Sequence, residues 1–161
     1  GLRARPIRFI RLDEIKNNVW TVPAKNMKAR LGAAEDFRVP LSAQALRIIN
    51  QARPFERCGF LFPSVRKGVI SDATMARLME RRGMEARPHG FRSSLRTWLA
   101  ETTDATHEVA EAMLAHMTDS KVVRTYRRTD YLDQRLVLLE RWADFVTGSA
   151  SGVVNLVERV E

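Results

Sequence analysis

From Phe91 to Thr147 the chain carries helical patterning almost without a break, and no other feature constrains its fold as much. Residues 91–101, 107–115, 119–127 and 130–147 each read as a helix, joined by short polar turns such as Met117-Thr-Asp-Ser120. Upstream the signals are mixed. Ile7, Ile10 and Ile15 fall near helical spacing after Pro6, which a first turn tolerates, so a short helix is expected over residues 6–15. Val19-Trp-Thr-Val-Pro23 and Phe37-Arg-Val-Pro40 are β-prone runs on either side of a polar stretch containing Gly32. They predict a hairpin whose long loop holds Lys25, Lys28 and Arg30.

Ser42 is placed to cap a helix with Ala45, Leu46, Ile48 and Ile49 on its apolar face, ending near Pro54. Phe60-Leu-Phe62 reads as a short extended piece, and Ser71-Asp72 opens a helix through Met75, Leu78 and Met79 to Gly83. The expected fold class is therefore mainly α with a small antiparallel β-sheet. Trp98 and Trp142, with Leu95, Leu99, Leu136, Leu139 and Phe145 at helical spacings, are expected in its core.

The length of 161 residues suits one domain with a real core, and 45% apolar content argues against disorder. The opening Gly1-Leu-Arg3, without a methionine, reads as the middle of an element and predicts a fragment of a longer protein. Against 19 Asp and Glu stand 27 Lys and Arg, a formal charge of +8, so a polyanion is the natural partner. Only Lys16, Lys25, Lys28, Lys67 and Lys121 are lysines; the rest of the positive charge is guanidinium, suited to phosphate oxygens. A high-GC genome produces the same bias. Cys58 stands alone, which excludes a disulfide framework and a cysteine-rich metal site; it is expected as a small buried apolar residue. No run approaches the ~20 apolar residues of a membrane span, and no secretory signal opens the chain. A soluble cytoplasmic protein without membrane contact is expected.

The chemistry concentrates in His89-Gly-Phe-Arg92, His116 and Tyr126. A phosphodiester under attack gathers negative charge on its nonbridging oxygens, and fixed cationic donors such as Arg3 and Arg92 stabilise that charge. A helix start near residue 90 adds backbone N–H groups. His89 lies three residues before Arg92, so both project from one helix start, and an imidazole exchanges protons near neutral pH. His116 follows the apolar run Ala112-Met-Leu-Ala115 at a helix end, and Tyr126 comes ten residues later. Tyr131 is the other tyrosine that has to be weighed as a nucleophile. His107, just inside a helix, reads as a capping or packing residue. Arg124, Arg127 and Arg128 suit either phosphate contact or solvent.

Taken in order, Gly1-Leu-Arg3, the Lys28 hairpin ending in Arg38-Val-Pro-Leu41, Leu61-Phe-Pro63, His89-Gly-Phe-Arg-Ser-Ser-Leu-Arg-Thr-Trp98, Leu114-Ala-His116 and Tyr126-Arg-Arg128 resemble the catalytic domain of tyrosine recombinases. The phage and genomic-island integrase branch is the nearest in pattern, and the likeness covers residues 1 to about 147. Pro6 and Leu12 depart from it, standing where that family has an acidic residue and a tryptophan.

The resemblance implies a tyrosine recombinase catalytic-domain fold with a core over residues 1–147 and a tail over 148–161, the N-terminal DNA-binding regions being absent. It implies Arg3 and Arg92 as phosphate clamps, His116 as a phosphate hydrogen-bond donor, and His89 as the residue that orients or deprotonates the tyrosine. Tyr126 is then the nucleophile, leaving a 3'-phosphotyrosine and a 5'-hydroxyl. Lys28 is the implied general acid, with Lys25 as the alternative. No metal and no cofactor are implied. The implied partner is double-stranded DNA at attachment sites, bound by a homotetramer whose subunits are monomers in isolation. Val153, Val154, Leu156, Val157 and Val160 give the tail an apolar set that docks on a neighbouring protomer or on its own domain. Site-specific recombination is the expected function; a DNA-binding remnant without turnover and a type IB topoisomerase-like nicking and closing activity are the alternatives.

Overall fold

The computed structural model describes residues 1–27, 35–116 and 129–148. Its first helix, α1, spans Ala4–Arg8. The helix expected over 6–15 thus begins earlier and stops sooner. Backbone pairing ends it: the Leu61 N–H donates to the Ile10 carbonyl at 3.0 Å, and Arg11 bridges to Phe60. Glu14 then takes the Arg11 N–H at 3.2 Å and the Trp20 indole N–H at 2.9 Å, holding a short 3-10 turn over Leu12–Glu14. The isoleucines that looked helical serve different elements, Ile10 in the core and Ile15 on a strand.

That strand, β1 (Ile15–Lys16), pairs antiparallel with β2 (Val19–Val22), which pairs antiparallel with β3 (Phe37–Pro40), giving the order β1-β2-β3. The β2 and β3 hairpin was legible, with Trp20 opposite Val39 and Val22 opposite Phe37; β1 was not. Its turn is Asn17-Asn18, both at positive φ (49° and 59°), the left-handed pair that matches strand twist in a two-residue hairpin. The hairpin's long loop, 28–34, lies outside the described residues.

Helix α2 (Ala43–Ala52) starts where expected, the Ser42 hydroxyl accepting the Ala45 N–H at 3.3 Å. After a 3-10 turn at Arg53–Phe55 comes a second tight turn, Cys58-Gly59, closed by exchanged hydrogen bonds between Arg57 and Phe60. Cys58 has φ 54° and is exposed, which corrects its expected burial. A turn tip leaves its side chain nothing to pack against. Gly59, at φ 84°, lies under the Arg11 guanidinium where a Cβ has no room. Helix α3 (Ala73–Arg81) ends at Gly83, also at positive φ.

The helical half consists of α4 (Gly90–Thr102), α5 (His107–Met113) and, as the last described helix, α6 (Leu132–Thr147). The helix expected over 119–127 lies outside the described residues. His107 opens α5 and is exposed. Leu95, Trp98, Leu99, Val109, Ala110, Met113, Leu114 and Leu138 form one core; Ile10, Trp20, Val22, Leu41, Ile49 and Leu61 form another under the sheet. Leu139 and Trp142 pack on the first as expected, whereas Leu136 (37% exposed) and Phe145 (43%) do not sink into it. Phe145 instead stacks on Trp142, ring centroids 5.6 Å apart. The architecture is a helical bundle beside a three-stranded antiparallel sheet, and α6 spans the seam, Glu140 accepting the Ala43 N–H at 2.9 Å.

Candidate active site

The site is built on the start of α4. Because α4 begins at Gly90, Arg92 lies in its first turn and His89 just ahead of it, so both emerge at the helix's electropositive end. Arg92 turns inward and is 7% exposed. Its Nη2 donates to the Leu114 carbonyl at 2.9 Å and to His116 Nε2 at 2.8 Å, while Nη1 donates to the Gly1 carbonyl. Three of its five N–H groups thus meet protein acceptors among the described residues. Gly1 is held against the Met113 carbonyl and Leu95 so closely that a Cβ there meets both. Only glycine lets this segment approach Arg92.

His116 is delivered by the way α5 ends. Ala115 takes a left-handed conformation (φ 51°), its N–H bonding the Ala112 carbonyl at 3.0 Å, and the His116 N–H returns to the Glu111 carbonyl at 3.0 Å. This is a Schellman closure with alanine where glycine is usual. It points the His116 ring back at its own helix, where Nδ1 meets Glu111 Oε2 at 2.8 Å. An arginine has no acceptor, so Nε2 must accept from Arg92 and the ring proton sits on Nδ1, donated to Glu111. The other Glu111 oxygen pairs with Arg96 Nε at 3.3 Å. Glu111 and Arg96 escaped the sequence reading; the readable signal was a carboxylate five residues before a histidine at a helix end.

Arg3 precedes α1 and is half-buried. Among the described residues no hydrogen bond to its guanidinium is found. It lines a cavity of about 420 Å³ together with His89, Arg92, Leu95, Met79 and Trp142, and a smaller one with Arg5, Asn26, Met27, Arg92 and Ala115. Burial, and then repulsion from Arg3, draw the Arg92 guanidinium below its ordinary pKa, with Glu111 opposing. Two guanidiniums facing one cavity without a carboxylate between them make a site for an anion.

Four of the six sequence-derived residues, Arg3, His89, Arg92 and His116, are therefore brought together. Lys28 and Tyr126 lie outside the described residues, as do Arg124, Arg127 and Arg128. Met27, the neighbour of Lys28, lines the smaller cavity. Lys25 is exposed on a 3-10 turn, its carbonyl accepting from Arg5 at 3.2 Å. Tyr131 packs on the helical core. Pro6, at the position of the departure noted above, is buried in α1 and lines the smaller cavity.

Among the described residues no three His, Cys, Asp or Glu side chains are grouped to hold a metal ion, and no helix is long and apolar enough to cross a membrane. The sequence profile described as the phage integrase family matches residues 1–132. The chain is 37% identical to prophage integrase IntA of Escherichia coli K12 over 91% of its own length and 36% of that protein. It is 26% identical to the integrase of Enterobacteria phage P4 over 97% of its length and 40% of that protein. With prophage integrase IntZ of Escherichia coli K12 the identity is 30%, over 98% and 40%. It thus spans about two fifths of the length of these relatives. No solved structure matches at a significant level. With Arg3, His89 and Arg92 lining one cavity, His116 hydrogen-bonded to Arg92, and the family profile matched over most of its length, the chain belongs to the phage integrase family, the tyrosine recombinases.

Proposed function

We propose that this chain is the catalytic domain of a longer site-specific recombinase, which cuts and rejoins duplex DNA through a 3'-phosphotyrosine on Tyr126. The observation that carries the reading is the cavity lined by Arg3 and Arg92, with His116 Nε2 hydrogen-bonded to Arg92. Such a pair, fixed before the substrate arrives, stabilises charge that grows on nonbridging phosphate oxygens as attack proceeds.

In this mechanism the Tyr126 oxygen attacks phosphorus and the bond from phosphorus to the 5'-oxygen breaks. His89 takes the phenol proton, and Lys28 supplies one to the departing 5'-oxygen. In its doubly protonated form His116, its Nδ1–H held by Glu111, donates from Nε2 to a nonbridging phosphate oxygen; with Nε2 bare it instead accepts from Arg92. Attack by a second strand's 5'-hydroxyl reverses the steps and rejoins DNA with no external energy source. Tyr131 is turned into the helical core, which favours Tyr126. The net positive charge suits a duplex partner, and a homotetramer on paired attachment sites is the assembly we propose.

The test uses the full-length protein and nicked duplexes taken from the chromosomal junctions of the element that encodes it. A nick beside the cleavage point lets the 5'-fragment diffuse away and traps the intermediate. A covalent protein–DNA adduct is expected from wild type and none from Tyr126→Phe. Adduct formation by Tyr126→Phe contradicts the assignment, and no adduct from wild type points to a DNA-binding remnant. Turnover without paired sites indicates nicking and closing instead.

A further inference from the structure

Arg135 is 2% exposed, in the first turn of α6, and no part of the proposed chemistry uses it. Its Nη2 donates to the Arg38 carbonyl on β3 at 2.9 Å, its Nη1 to the Asp130 carbonyl at 3.2 Å, and its guanidinium lies 4.7 Å from the centre of the Phe37 ring. Among the described residues its Nε has no partner. The Asp130 carboxylate pairs instead with Arg38 at 3.3 Å. Burial lowers the Arg135 pKa to about 10.

A cation so placed is a poor stabilising device. Among the described residues two carbonyls, a ring face and the field of the Asp130 carboxylate offset its desolvation cost, and buried charges of this kind are often replaced by apolar side chains without loss. What the fork does provide is geometry. Asp130 is four residues beyond Tyr126, and Phe37-Arg38 opens the strand that follows the Lys28 loop. One rigid guanidinium therefore ties the chain leaving the nucleophile to the sheet, and the Arg38–Asp130 pair reinforces the tie from outside. A lysine has no fork to span two carbonyls from elements so far apart in sequence.

We infer that Arg135 is a positioning residue, fixing the exit of the Tyr126 segment against β3 and so setting how the nucleophile meets the Arg3 and Arg92 site. The inference rests on the tyrosine chemistry proposed above.

Arg135→Met and Arg135→Lys in the full-length protein test it on the same nicked junction duplexes. Far-ultraviolet circular dichroism and DNA affinity are expected to match wild type. Single-turnover adduct formation at saturating DNA is expected to slow about 100-fold for Arg135→Met, the scale of a roughly ångström misplacement of reacting groups, and less for Arg135→Lys. A duplex with sulfur in place of the 5'-bridging oxygen separates nucleophile from leaving group, because a thiolate departs without a proton. Lys28→Met should recover on that duplex and Arg135→Met should not. A wild-type rate in Arg135→Met overturns the inference. So does full recovery on the sulfur duplex, or loss of fold or DNA affinity in both variants. Absence of adduct from wild type fails the tyrosine reading itself and takes this inference with it.

Discussion

Replacing Glu111 by leucine removes the carboxylate that holds His116 and keeps a side chain of similar bulk in a pocket where Glu111 is only 13% exposed. Two interactions go. The first is the hydrogen bond from His116 Nδ1, 2.8 Å long and charge-assisted. Such bonds contribute about 1.5–3 kcal/mol, and the partial exposure of the ring places this one near the lower end, about 1.5 kcal/mol. The second is the ion pair with Arg96, whose side chain is 37% exposed, worth no more than about 1 kcal/mol. If the first is felt in full when the phosphate is attacked, adduct formation slows about tenfold, since ~1.4 kcal/mol is a factor of ten in rate. Arg96→Met removes only the second and should leave the rate within about fivefold, the most that about 1 kcal/mol allows. The assay is single-turnover adduct formation by full-length protein, combined with nitrogen-15 spectra of the His116 ring. Wild type should carry its proton on Nδ1 with Nε2 bare. A wild-type rate in Glu111→Leu, or a neutral ring protonated on Nε2 in wild type, refutes the reasoning.

Other outcomes follow from the same contacts. Ala115→Gly should be tolerated at the left-handed position that turns His116 inward, whereas Ala115→Val should cost about 1–2 kcal/mol in denaturant unfolding and slow adduct formation; equal behaviour of the two contradicts the role given to that turn. Leu95→Ala, at a position 1% exposed where the helical core meets Gly1, should lower unfolding free energy by about 3 kcal/mol. DNA affinity should fall steeply and log-linearly with salt as arginine contacts release counterions, and a salt-independent affinity contradicts phosphate-led binding.

What the sequence made legible was whatever local chemistry decides. Ser42 capped α2, the Val-Trp-Thr-Val and Phe-Arg-Val-Pro runs paired as strands, and the apolar stripes of α4 and α5 packed where their spacing put them. Arg92 and His116 were readable because their types are needed at a phosphate. What stayed hidden depends on partners far along the chain. The helix after Pro6 stops at Arg8 because Ile10 pairs with Leu61, fifty-one residues away, which periodicity does not register. Cys58 fell at a turn tip fixed by Arg57 and Phe60, and Arg135 went inside only because two carbonyls and a ring meet it there. Glu111 went unread because its partner is set by the closure at Ala115, which folds His116 back on it.

The central claim, that Tyr126 becomes joined to DNA, is tested most directly by finding the linked residue. After trapping on a nicked junction duplex and exhaustive nuclease treatment, trypsin cuts beside Arg124, Arg127, Arg128 and Arg135 and so separates the two tyrosines. A nucleotide phosphate is expected on the peptide Thr125-Tyr126-Arg127. Finding it on Thr129–Arg135, which carries Tyr131, or on neither peptide from an adduct-forming protein, contradicts the account.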